Sequence, residues 1–109
     1  MGYTTVAAVK EILNITVSDY DEEISHLVEE VEGEIDEILR PHCSIPLTMV
    51  PSIISKAATR LAAAKYLDKV APGGSSETLR RDAYHMIQLY IQGHYKRGSL
   101  QRTETPRNP

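Results

Sequence analysis

The sequence predicts an all-α fold. It should be a compact bundle of about four helices, two of them long and antiparallel with flanking helices. An extended 41–50 connection and a flexible C-terminal arm complete it. Three observations predict this. Apolar residues recur at three- and four-residue steps through most of the chain. The strongest helix breakers, Pro41, Pro46, Pro51 and the run Pro72-Gly-Gly-Ser-Ser76, fall between those stretches. An alanine-rich run at 57–64 favours helix intrinsically and permits close helix approach.

Each element follows in order. Thr4 or Thr5 can cap a short first helix to about Leu13, with Val6, Val9, Ile12 and Leu13 on one side. Asn14 to Ser18 read as a loop. Ser18 with Asp21 matches a capping-box-like start, and the acids that follow suit the positive helix end. Ile24, Leu27, Val28, Val31, Ile35, Ile38 and Leu39 then define one long amphipathic helix. Its other face carries Glu22, Glu23, Glu29, Glu30, Glu32, Glu34 and Glu37. Gly33 sits inside this helix; either a close helix contact or simple tolerance would account for it. Arg40-Pro41 ends it, because proline lacks a donor and disfavours helix just before itself.

Pro51 suits a helix first turn. The third helix is expected from there to about Val70, with Ile54, Ala57, Ala58, Leu61, Ala64 and Leu67 as its buried stripe. Ser75 or Ser76 can cap a fourth helix through Leu79, Ala83, Met86, Ile87, Tyr90 and Ile91, ending between Gly93 and Gly98. Residues from Ser99 onward offer little to bury. The expected division is therefore a helical domain over 1–98 and an arm over 99–109.

Composition bounds the function. The 109 residues fit one domain, which at this size buries somewhat over about 60% of its unfolded surface. That serves one helical core but not a deep substrate cavity as well. Phe and Trp are absent, so Ile, Leu, Val, Ala and Met must build the core, with six Tyr suited to its edges and to subunit contacts. Cys43 is the lone cysteine, so no internal disulfide can form. No apolar run is long enough to span a bilayer, and the first residues lack signal-peptide features. The expectation is a soluble protein, with no membrane association, that stays where it is made.

The net charge of −3 hides an asymmetry. Residues 1–39 hold eleven acids against one base, Lys10, and residues 40–109 hold four acids against eleven bases. Such a split can steer partners or self-association; two solvated helix faces would give the same count.

Catalytic chemistry finds little footing. His42-Cys43 could supply two metal ligands, but no second His/Cys pair lies at zinc spacing. His26, His85 and His94 are scattered. Nothing marks a Cys–His nucleophile pair. The glutamates project along a wet helix face, whereas acid/base work needs carboxylates in contrasting environments. No phosphate loop is present to complete a magnesium site. No enzyme, metal or cofactor is expected. Arg80-Arg81, Lys96-Arg97, Arg102 and Arg107 give local positive charge, but the acidic second helix would repel phosphate, which argues against sequence-specific DNA binding.

One stretch is more informative. Glu34 to Leu67 joins an acidic helix ending in Ile35, Asp36 and Leu39 to an Ile45-Pro46-Leu47 and Val50-Pro51 connection. An alanine-rich helix follows, with Ala57, Ala58, Leu61, Ala62, Tyr66 and Leu67. This run resembles the centre of the small head–tail connector (adaptor, or head-completion) proteins of tailed bacteriophages. The final amphipathic helix and its Gly93–Leu100 close also fit. Arg40-Pro41-His42 departs from the Gly-Arg-Tyr-like turn common in that family, which affects the path of the connection.

The resemblance implies a non-enzymatic virion protein forming a homo-oligomeric ring, typically of about twelve subunits, between the portal protein and the tail or stopper (tail-completion) protein. It would sit at the head–tail junction, and in the host cytoplasm during assembly. Double-stranded DNA would pass through it without sequence readout. On this expectation Lys96, Arg97, Leu100, Arg102 and Arg107 bind the portal. Glu29, Glu30, Glu34 and Glu37 face the channel or a neighbouring subunit. Arg60, Arg80 and Arg81 form the basic inter-subunit face. The competing expectation is a small cytoplasmic helical interaction or regulatory module, DNA-binding or toxin-neutralising.

Overall fold

The computed structural model describes residues 2–45, 47–71 and 73–102, the side chains of 94–102 excepted. Four helices follow one another: α1 (Val6–Leu13), α2 (Asp21–Leu39), α3 (Ser52–Val70) and α4 (Glu77–Arg102). The all-α expectation holds, and no strand occurs among the described residues.

Thr5 caps α1: its backbone is extended, and its hydroxyl accepts the Ala8 N–H at 3.1 Å. Asn14 closes α1 in the left-handed region at φ 60°, a conformation asparagine tolerates. The start of α2 differs from the capping-box expectation. Helix begins at Asp21 with no side-chain cap, and the Ser18 carbonyl accepts the Asp21 N–H at 3.2 Å. Asp21 does not reach back because Lys10 holds its carboxylate at 2.8 Å. Asp21, Glu22 and Glu23 still complement the positive helix end.

Leu39 ends α2 as expected, and the N–H groups of His42 and Cys43 both return to its carbonyl, at 2.8 and 3.0 Å. The connection thus opens in a turn, and its described residues form no helix or strand before α3. Cys43, Ile45, Leu47 and Val50 are half-buried against the core, while Met49 is 84% exposed. Pro51 stands just before the first turn of α3 rather than within it, at φ −65°, and its carbonyl accepts from Ile54 and Ser55.

Helix α3 is the centre of the molecule. Ile54, Ala57, Ala58, Leu61 and Ala64 are buried as expected, and Leu67 is half-buried. Thr59, Ala62, Ala63 and Tyr66 are buried too, so α3 is enclosed well beyond one stripe. The reason is topological: α1 and α2 pack on α3 and on each other, while α4 packs principally on α3. The core is Ile24, Val31, Ile35 and Leu39 of α2, Ile54 and Leu61 of α3, Val9 of α1, and Ala83, Ile87 and Ile91 of α4. Each large member contributes about 1.5–3 kcal/mol by leaving water.

The α3–α4 turn needs its glycines, with Gly73 at φ 137° and Gly74 at φ 102°. Ser76 occupies the expected boundary and its carbonyl accepts the Arg80 N–H, but its buried hydroxyl donates to Asp68 instead of capping. Helix α4 runs past Gly93 and Gly98 to Arg102, so the expected end between those glycines was too early. Two helical glycines cost about 1 kcal/mol each relative to alanine, and Lys96, Arg97, Leu100, Gln101 and Arg102 are strong helix formers that offset them. The 98/99 boundary therefore falls inside α4, and residues 103–109 lie outside the described residues.

Tyr3 ties the start of the chain down. Its N–H donates to Glu32 Oε2 at 2.8 Å, its hydroxyl donates to Asp36, and the same oxygen accepts the Leu47 N–H at 3.1 Å. Beside it, the Thr59 hydroxyl donates to the Ser55 carbonyl at 2.8 Å, which leaves Thr4 as the donor in the 2.6 Å Thr4–Thr59 contact. Burial first, then the bond to Asp36, pushes the Tyr3 phenol up from 10.0 to about 12. A raised phenol stabilises the fold fully below its unfolded value, and that contribution fades between about pH 10 and 12. Tyr3→Phe should therefore lower stability by about 1–2 kcal/mol at pH 8 in urea denaturation. Its gap to the wild type should shrink by pH 11.5, and hydrogen exchange at Leu47 should accelerate.

Candidate functional site

Three sides of α2 carry its acids, and each side has a different fate. On one flank, Glu34 and Glu30 approach Lys65 of α3 at 2.8 and 3.6 Å, and Glu23 approaches Lys69 at 3.0 Å. Burial works against the Lys65 charge, but the bond to Glu34 and the charges of Glu34 and Glu30 outweigh it, so its pKa rises. On the other flank, Glu32 and Asp36 hold Tyr3. The outer ridge is Glu22, His26, Glu29, Gly33 and Glu37, all exposed. Glu37 meets Arg40 at 3.0 Å, a surface pair worth at most about 1 kcal/mol.

The expected acidic face of Glu29, Glu30, Glu34 and Glu37 is thus not one face. Glu29 and Glu37 stand on the ridge, and Glu30 and Glu34 lie along the α2–α3 seam. Helical spacing alone could have separated them, since 22, 26, 29, 33 and 37 form one row and 23, 30 and 34 another.

The expected basic face divides as well. Arg80 is committed within the chain, to Asp68 and at 3.6 Å to Glu77. Arg60 reaches the Lys56 carbonyl at 3.5 Å and has no ion pair among the described residues. Arg81 is exposed and likewise without an ion pair there. Lys56, exposed one turn before Arg60, joins this group; its place at i−4 in the sequence was the signal that it shares Arg60's face. Lys96, Arg97, Leu100 and Arg102 lie on the last turns of α4, their side chains outside the described residues, as is the whole of Arg107.

Other chemistry is sparse. No group of three or more His, Cys, Asp or Glu among the described residues could hold a metal ion. Cys43 is half-buried with its thiol 3.7 Å from the Leu39 carbonyl, and burial, then the Asp36 charge, pushes its pKa up, away from the reactive thiolate. One open trough of roughly 400 Å3 runs between Ala7, Lys10, Glu11, Asn14, Ile15 and Thr16. No helix among the described residues is long and apolar enough to cross a membrane.

No family model, curated protein or solved structure matches this chain. The surface chemistry therefore rests on the residues themselves: a wet acidic ridge on α2, and Lys56, Arg60 and Arg81, which have no ion pair among the described residues.

The Asp68 cluster fixes how α4 leaves α3. The Ser76 hydroxyl, then Arg80, hold the Asp68 carboxyl below its ordinary value. A lowered carboxyl stabilises the fold above its unfolded pKa and ceases to as pH falls through its folded one. Asp68→Asn should lower the melting temperature at pH 7, with the gap to wild type closing below about pH 4 in calorimetric scans.

Proposed function

We propose that this chain is a structural subunit of a ring connecting a phage portal to its tail or stopper, with no reaction of its own. The observation that carries the reading is the run from Glu34 to Leu67, whose order of acidic helix, proline-bounded connection and alanine-rich helix resembles the phage connectors. The arrangement of the bundle supports it. Helix α2 ends at Leu39, the connection crosses the core edge, and α3 follows Pro51. Charges left over after internal pairing sit on the outside, where a neighbour can meet them.

In this reading the basic end of α4 and the residues beyond it reach the portal. Lys96, Arg97 and Arg102 follow one another with no acid between Asp82 and Glu104. A segment ordered on contact covers much partner surface from a small subunit. DNA passing through such a ring is met without base readout.

Native mass spectrometry and electron microscopy of the purified protein, alone and with portal rings, test the reading. Closed rings in either sample are expected. A stable dimer that shifts a DNA probe, with no ring in either sample, would replace the connector by a regulatory module. Removing residues 99–109 should leave the melting temperature nearly unchanged, because the core formed by the described residues lies wholly before them, and should weaken sedimentation with the portal. Unchanged co-sedimentation would exclude this segment from the contact.

A further inference from the structure

The outer ridge of α2 is exposed along its length, its one ion pair among the described residues is Glu37 with Arg40, and Gly33 lies on it between Glu29 and Glu37. Helix propensity disfavours glycine at an exposed interior position. A Cβ at residue 33 would meet no atom within 4 Å, so nothing inside the protomer calls for glycine there. The missing side chain leaves a notch through which another backbone can approach closely. Glu29 and Glu37 flank the notch one turn to either side, and Glu22 extends the same row of acids toward the start of α2.

Matching charge lies on the opposite side of the same protomer. Lys65 and Lys69 mark the face of α3 that looks toward α2, since both pair with its glutamates. Arg60 is nine positions before Lys69, roughly half a turn around the helix at about 100° per residue. Lys56 is one turn before Arg60 on that same side. Neither base has an ion pair among the described residues. Two complementary faces on opposite sides cannot meet within one chain. Between chains they can, and the contact then repeats head to tail, which closes a ring when the rotation per step allows.

We propose that the occupant of the α2 ridge is a second copy of this chain, which docks the Lys56–Arg60 edge of its α3 over Gly33. This rests on the connector reading and deepens it by naming the two faces. It places the ridge between subunits rather than on the channel wall.

The test uses the full chain carrying Cys43→Ser. Chains with His26→Cys on the ridge are mixed at high concentration with chains carrying Ser52→Cys, exposed one turn before Lys56. A short bismaleimide should join 26 to 52 well above the yield for a control chain carrying Gln88→Cys, exposed on α4. A dominant 26–26 product, or no excess over the control, overturns the proposal. Glu22→Lys with Glu29→Lys should weaken self-association at least about tenfold, and adding Lys56→Glu with Arg60→Glu should restore it. Gly33→Leu should keep or raise the melting temperature while weakening association; unchanged association refutes the notch. Rings by microscopy without the 26–52 product defeat this assignment alone, whereas the absence of both defeats the connector reading with it.

Discussion

Alanine at 57, 58, 62, 63 and 64 is what the rest of the bundle leans on. With so little side chain between backbones, α1, α2 and α4 all reach α3, and every one of those alanines is sealed from water. A larger residue at any of them would have to push a neighbouring helix outward, at a typical overpacking cost of about 1–3 kcal/mol. The three surrounding helices have fewer contacts with one another than with α3, so a shift at its centre is felt throughout the molecule. The large side chains come from the partners: Ile24, Val31, Ile35 and Leu39 from α2, and Ile87 and Ile91 from α4.

Electrostatics sort the same helices. The steep division between an acidic first third and a basic remainder is partly consumed where α2 meets α3, at Lys65 and Lys69. Arg80 and Asp68 consume another part where α4 begins. Such half-exposed pairs add little each, so their larger effect is on which charges remain outside. Among the described residues those remaining include the acids of the α2 ridge, Lys56 and Arg60 on the far side of α3, and Arg81 on α4, and they set what a neighbour would encounter.

Much of this was legible in the sequence, for identifiable reasons. The periodicity of Ile24 to Leu39 fixed both the extent of α2 and its buried face, because burial is the only force that keeps such a strict spacing. Pro41 and Pro51 bounded the connection through their missing donors. Capping was less readable: Asp21 and Ser76 have partners, Lys10 and Asp68, that only the fold supplies. The enclosure of α3 was hidden, since alanine tolerates either burial or exposure and does not announce which. The candidate faces were half legible. Composition revealed the surplus of each charge, but which acids meet Lys65 depends on the packing of two helices. Tyr3 was legible only as one of six tyrosines suited to a core edge; its partners at Asp36 and Leu47 were not, because they are remote in sequence.

That remoteness has a bearing on the order in which the molecule comes together. The ties from Tyr3 and Thr4 span 29, 33, 44 and 55 residues, whereas α3 and α4 are neighbours joined by a short turn. Closing long loops carries an entropic cost that grows slowly with length but must be met before any contact forms. The hairpin of α3 and α4 can organise on local contacts alone, with α2 joining it. Tyr3 and Thr4 then have no complete docking place until α2, the connection and α3 are all assembled, so this segment is expected to settle after the helices it joins.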